Sequence, residues 1–178
     1  MAEINKMELE QIVLKNMYHD ANGNRDICPI YHNKEELNKL LDYLAEPFYG
    51  KVDYVVSPES LGFILGGMLA EKLDVGFIPV RSGHHAVLAD DEAIRAPYID
   101  HRNNVRALQV RESNLPKKAR VLLVDDWVNT VATLHACKII VEEGDCEVVG
   151  IACFGVNYNN RTKRQLELGK IHTVLVIK

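Results

Sequence analysis

VLLVDDWVNTVATLHA, Val121 to Ala136, is the stretch on which the reading of this chain turns. Arg120 to Val124 is an apolar run without alternation, the pattern of a strand covered on both faces in a parallel sheet. It carries two adjacent acids, Asp125 and Asp126, to its carboxyl end. A short loop follows, and Thr133 to Glu143 has helical spacing with Gly144 as its stop. Backbone N–H groups at a helix start lack helical partners, and the helix dipole adds positive potential, so such a turn attracts anions. Thr130 and Thr133 add hydroxyls in or beside that turn. The two acids suit hydrogen bonds from a sugar diol, or the approach of a divalent cation. The same residues also read as an ordinary crossover whose acids cap a helix and whose threonines are incidental. No GxxxxGKS, GxxxxGKT or GxGxxG pattern is present, so neither a Walker loop nor a dinucleotide fingerprint is predicted.

Outward from this stretch, strands alternate with helices. Residues 4 to 18 and 34 to 48 have amphipathic helical spacing, the second with Asn33 as N-cap. Asp53 to Val56, Phe77 to Val80, Val105 to Arg111, Glu147 to Val156 and Thr173 to Ile177 read as strands. Ser60 to Leu73 and Arg161 to Leu168 read as helices. Residues 82 to 104 lack a period and read as a long loop, which a compact domain keeps for a purpose. The pattern predicts one α/β domain over residues 1 to 178 with a mostly parallel sheet, whose ligands bind beyond the carboxyl ends of the strands. Two polar segments fall at such ends: Ser57-Pro58-Glu59-Ser60 and Asp125-Asp126.

The bulk properties narrow the function classes. A net charge of −4, from 21 basic and 25 acidic residues, argues against a broad nucleic-acid surface. No apolar run approaches the roughly 18 residues of a membrane span, and the charged start lacks a signal core, so a cytoplasmic protein is expected. The four cysteines form no CxxC pair, which points away from zinc and redox motifs.

VLLVDDWVNTVAT resembles the phosphoribosyl diphosphate (PRPP) motif of type I phosphoribosyltransferases: a hydrophobic strand, two acids, and a loop that usually ends Thr-Gly-Gly-Thr. DYVVSPESLGFILGGMLAEKLDVGFIPVRSG resembles a segment of the adenine phosphoribosyltransferases, with Glu59, Gly62, Phe63, Pro79, Val80 and Arg81 in register. A weaker likeness runs from Asp26 through Leu44. The resemblance implies the type I phosphoribosyltransferase fold, with an N-terminal hood and approach helix in residues 1 to 50 and a flexible loop at 82 to 104. It implies a glycosyltransferase of purine salvage, moving ribose 5-phosphate from PRPP to a purine-like nucleobase with Mg2+ and releasing diphosphate. It also implies a homodimer.

Carried over residue by residue, Asp125 and Asp126 would hold the ribose hydroxyls and approach the metal. Asn129, Thr130, Val131, Ala132 and Thr133 would form the 5-phosphate loop. Glu59, Ser60, Leu61 and Arg81 would border the diphosphate. Arg102 would be a catalytic contact from the flexible loop, and Trp127 would pack against the sheet or a base. The chain departs from the pattern at Val131-Ala132 (Gly-Gly in the family), Leu61 (Arg), Ser82 (Lys) and Gln109 (Glu), and it has NGNRDICPI in place of the adenine hood. Arg81, His84, His85, Arg95, His101, Arg102 and Arg106 could supply positive charge from elsewhere. Two other functions fit the departures: cleavage of a nucleoside 5′-monophosphate or ribose phosphate, and non-catalytic sensing of a phosphoribosyl ligand.

Overall fold

The computed structural model describes residues 5–21, 25–83, 92–100, 103–157 and 171–177. Helix α1 (Lys6–Lys15) is capped by Asn5, whose side chain accepts from the Met7 N–H. A two-stranded ribbon follows, β1 (Tyr18–His19) against β2 (Arg25–Asp26), and then a 3-10 turn at Cys28–His32. Helix α2 (Lys34–Ala45) starts as expected at Asn33, whose Oδ1 accepts from the N–H groups of Glu35 and Glu36. It ends three residues earlier than its spacing suggested. Pro47 has no N–H to donate, and the chain tightens into a 3-10 turn at Glu46–Phe48.

The main sheet is built from β3 (Tyr54–Pro58), β4 (Gly76–Ser82), β5 (Ala93–Ile99), β6 (Val105–Arg111), β7 (Arg120–Val124), β8 (Trp127–Val128), β9 (Glu147–Asn157) and β10 (Ile171–Ile177). Its order is β10-β9-β7-β3-β4-β6-β5, with β8 pairing on β9. The strands from β10 to β4 run parallel, and β6 and β5 add antiparallel at the edge. Helix α3 (Leu61–Leu73) crosses from β3 to β4, and α4 (Ala132–Glu143) leads into β9.

Two apolar layers sandwich the sheet. Leu9, Val13, Leu40, Leu44, Leu65, Leu69, Val55 and Leu122 form one, beneath α1, α2 and α3. Val56, Val80, Ala96, Leu108, Leu123, Leu134, Cys137 and Ile140 form the other, beneath α4. Along β7, Leu122 faces the first layer and Leu123 the second, so this strand needs apolar residues at every position.

The structure corrects the expected 82–104 loop. Ala93–Ile99 is strand β5, paired with β6 from Ala93↔Arg111 to Ile99↔Val105. Its pattern was hidden because an edge strand tolerates Pro97, which a central strand would not. Helix α4 stops beside Gly144 as expected, yet Asp145 takes the left-handed backbone, with φ 60°. Gly144 is needed instead for space, since a Cβ there would stand 2.6 Å from a Leu115 methyl carbon. The helix expected at Arg161 to Leu168 lies outside the described residues, as do His84, His85, His101 and Arg102.

Candidate active site

The carboxyl end of β7 stays laced to β9 while the chain prepares to turn. Asp125 N–H donates to Ala152 O at 3.3 Å, and Phe154 N–H donates to Asp126 O at 3.1 Å. The Asp125 carboxylate accepts from the Asp126 N–H at 3.0 Å. Both acids are partly exposed at the end of the sheet. Burial, and then the neighbouring Asp126 charge, hold Asp125 well above the usual carboxylate range. Burial also raises Asp126, with Arg25 among the groups pulling it back down. Two adjacent carboxyls in one enclosed place resist double ionisation, so the pair is poised to gain from a positively charged ligand.

The second polar segment comes to the same place. Helix α3 begins at Leu61, and a Cβ on Gly62 would stand 3.0 Å from Asp125 Oδ1. The turn holding Glu59 and Ser60, joined by a cis peptide bond, therefore sits beside the acid pair. Glu59 N–H donates to Val80 O at 3.1 Å, and its carboxylate meets Arg81 Nε at 3.6 Å. Ser60 stands at the helix start without a side-chain capping bond. Of the residues expected near diphosphate, Glu59 and Arg81 are in contact, and Leu61 opens the helix as a partly buried apolar side chain.

Beyond Val128 the chain turns through Asn129 and Thr130. Asn129 Oδ1 accepts from Asn157 Nδ2 at 2.6 Å and from Arg25 Nη1 at 3.3 Å. Val131 has φ −68° and ψ 0°, and its side chain is fully buried in the α4 layer. The turn uses ordinary backbone angles, which is how valine and alanine replace two glycines. None of Asn129 to Thr133 has a positive φ. Helix α4 starts at Ala132, so Thr133 lies within its first turn, where it interacts with the Tyr98 hydroxyl of β5. Thr130, Ala132 and His135 share a cleft of about 520 Å³ with Pro97, Tyr98 and Asn103.

Trp127 packs: its indole lies in the α1–α3 layer and donates from Nε1 to Asn157 Oδ1 at 3.3 Å. A Cβ on Gly155 would come within 2.3 Å of the ring, so glycine makes room for it. The Arg25 guanidinium lies over the ring, 3.9 Å from its centroid, and also reaches Asn157 Oδ1 at 3.2 Å. Sequence reasoning passed over Arg25 and Asn157. The available signal was Arg25-Asp26 at the head of the weaker likeness, but nothing in its spacing points to a tryptophan a hundred residues on. Tyr31 was also missed. Its hydroxyl is buried without a hydrogen-bond partner, and burial followed by the charge of Asp126 raises its pKa well above the ordinary phenol. Among the described residues no group of three or more His, Cys, Asp or Glu gathers as a metal site.

Known proteins resemble this chain in sequence and in fold. The phosphoribosyl transferase domain profile matches residues 30–175. An adenine phosphoribosyltransferase of Rhodopirellula baltica is 35% identical over 127 residues, covering 71% of this chain and 60% of that protein. The chain thus spans about three fifths of that relative's length. An adenine phosphoribosyltransferase of a Thermotoga species is 32% identical over 154 residues, covering 85% of this chain and 88% of the relative. The crystal structure of adenine phosphoribosyltransferase from Rhodothermus marinus superposes with a TM-score of 0.86 at 29% identity, covering 97% of this chain and all of the other. By sequence and by fold, the chain belongs to the phosphoribosyl transferase domain family.

Proposed function

We propose that this protein transfers the ribose 5-phosphate group of PRPP to a purine base, releasing diphosphate, as a pentosyltransferase of purine salvage. The observation that carries the reading is the acid pair Asp125–Asp126, set between the start of α4 and the Glu59–Gly62 turn. Asp125 and Asp126 accept hydrogen bonds from the ribose hydroxyls and offset positive charge as the bond from the anomeric carbon to diphosphate loosens. The N–H groups at the start of α4, with the hydroxyls of Thr130 and Thr133, hold the 5-phosphate. Glu59, Ser60 and Arg81 border the leaving diphosphate. The base is received near the Arg25–Trp127 stack and Tyr31.

Two neighbouring carboxylates are hard oxygen donors of the type that suits Mg2+. With no third such group beside them among the described residues, substrate oxygens would complete the shell. Bound there, the ion would neutralise charge on the diphosphate. Arg102 is assigned the loop contact with the reacting groups, although it lies outside the described residues. We place the protein in the cytoplasm as a single-domain chain that pairs as a homodimer. Among the described residues no helix is long and apolar enough to cross a membrane.

The test is adenosine 5′-monophosphate formation from PRPP, adenine and Mg2+, followed by chromatography. Product that disappears in the Asp125→Ala, Asp126→Ala double variant supports the reading. No product from adenine or any other purine base overturns it. Release of adenine from adenosine 5′-monophosphate without PRPP would install the nucleotide-cleaving alternative, which the apolar Leu61 favours.

A further inference from the structure

The polar cluster around Trp127 uses up its acceptors and leaves donors over. Arg25 commits three N–H groups to it: Nε donates to Met17 Sδ at 3.2 Å, Nη1 to Asn129 Oδ1 at 3.3 Å and Nη2 to Asn157 Oδ1 at 3.2 Å. Asn129 Oδ1 accepts a second bond, from Asn157 Nδ2 at 2.6 Å, and Asn157 Oδ1 a second, from Trp127 Nε1 at 3.3 Å. Guanidinium and indole nitrogens only donate, so both amide oxygens are fixed toward them, and both are filled. A guanidinium has five N–H donors, so two of them remain on Arg25 without a partner among the described residues. Asn129 Nδ2 has none either. The Tyr31 hydroxyl is also unpartnered, but a hydroxyl donates or accepts and so does not discriminate. Burial and, after it, the charge of Asp126 act on both Arg25 and Tyr31. Asp125, by contrast, faces Gly62 at the start of α3. The acid pair thus stands between the Arg25 cluster and the Glu59–Arg81 turn. An incoming base and a departing diphosphate occupy opposite faces of the anomeric carbon, so a base enters on the Arg25 side.

We infer that Arg25, held by Asn129 and Asn157, selects a 6-oxopurine, the class with a carbonyl where adenine carries its amino group. This rests on the function proposed above and names the base that it left open. The N7 and O6 edge of a 6-oxopurine presents acceptors only, and an arginine fork meets it bidentately. Adenine presents N7 beside an amino donor. Setting that amino group against an arginine N–H opposes donor to donor and leaves both unpaired. The acceptors that could take an amino proton are the filled amide oxygens and the two carboxylates assigned to ribose. Trp127 backs the guanidinium at 3.9 Å, so the fork is fixed before a ligand arrives, and little ordering cost is left to binding.

The experiment is calorimetric titration of the full chain with inosine, guanosine and adenosine 5′-monophosphates. Nucleotide formation from PRPP, Mg2+ and hypoxanthine, guanine or adenine is measured beside it. The three nucleotides share one ribose 5-phosphate, so differences among them report the base alone. Wild type should bind the inosine and guanosine nucleotides about tenfold or more tighter than the adenosine nucleotide, the discrimination expected of one bidentate arginine contact. Arg25→Met keeps an apolar stem over Trp127 without donors, and it should remove the preference by weakening the two 6-oxopurine nucleotides. Its melting temperature is measured alongside, and the wild-type comparison carries the test if the variant fails to fold. Adenosine 5′-monophosphate binding as tightly as the other two in wild type overturns the inference. So does a preference that survives Arg25→Met, or no binding of any of the three. If adenine proves the best substrate for transfer, the base assignment falls and the function stands. If the 6-oxopurine nucleotides bind through Arg25 yet no base gives product, the function falls and the base preference stands.

Discussion

Helix α3 carries three glycines, and replacing each by alanine should have a different outcome. A Cβ on Gly67 would meet nothing within 4 Å. On Gly62 it would stand 3.0 Å from Asp125 Oδ1 and 3.4 Å from Pro58 Cδ, and on Gly66 2.0 Å from Ser57 Oγ and 2.8 Å from Phe77 Cε2. Alanine gains roughly 0.5–1 kcal/mol over glycine within a helix. For Gly67→Ala that gain is the whole effect, so Tm should rise by about 1–4 °C with activity unchanged. For Gly66→Ala, carbon and oxygen in contact need roughly 3.3 Å, so strand and helix must part by about 1.3 Å. Overpacking of this kind costs about 1–3 kcal/mol, and Tm should fall by about 2–12 °C.

Gly62→Ala is the informative case. The contact is only a few tenths of an ångström too short, and the helical gain roughly offsets it, so Tm should stay within about 2 °C. Yet the atom displaced is Asp125 Oδ1, the same oxygen that accepts from the Asp126 N–H at 3.0 Å. A misplacement of about 1 Å in a positioned group costs about a hundredfold, so a smaller shift should lower kcat/KM by about tenfold. The assay pairs thermal melting with nucleotide formation for all three variants under one condition. Wild-type activity in Gly62→Ala would refute the placement of Asp125 at the reacting centre. Equal destabilisation by Gly66→Ala and Gly67→Ala would refute the packing of α3 on β3.

Asp125→Asn should abolish transfer yet stabilise the fold at neutral pH. A carboxyl with its folded pKa raised by burial holds its proton more tightly folded than unfolded. Stability therefore falls as pH climbs from the unfolded value, about 3.9, through the raised folded value. Asparagine has no such proton, so its advantage should be widest near pH 7 and shrink toward pH 4. Urea unfolding at the two ends measures this, and a constant gap would count against the raised pKa of Asp125. Arg25→Ala removes the cation over Trp127, a contact of about 0.5–2 kcal/mol. Tm should drop by a few degrees, and the fluorescence of Trp127, the only tryptophan, should change; an unaltered spectrum would place Arg25 away from the ring.

Much of the site was legible because its parts are local in sequence. The run from Arg120 to Val124 can only be a strand buried on both faces, and its two acids must then emerge where such sheets bind ligands. Asn33 announced a helix start, and its side chain caps one. Other features were illegible for nameable reasons. Strand β5 carries a proline and has only Ala96 fully buried, so no period betrays it. Val131-Ala132 stood out in the sequence only as a departure from Gly-Gly; that the Val131 backbone is helical and its side chain buried depends on packing beneath α4.

The sequence by itself determined the alternation of strands and helices, the acid pair at a strand end and the threonines at a helix start. These follow from the spacing of apolar groups and from chemistry within a few residues. Only the tertiary structure decided which distant segments share the site. It brings Gly62 against Asp125, lays Arg25 over Trp127, and joins Arg25 to Asn129 and Asn157. Such contacts depend on strand order and register, which arise from packing both faces of the sheet together and leave no periodic trace in any one segment.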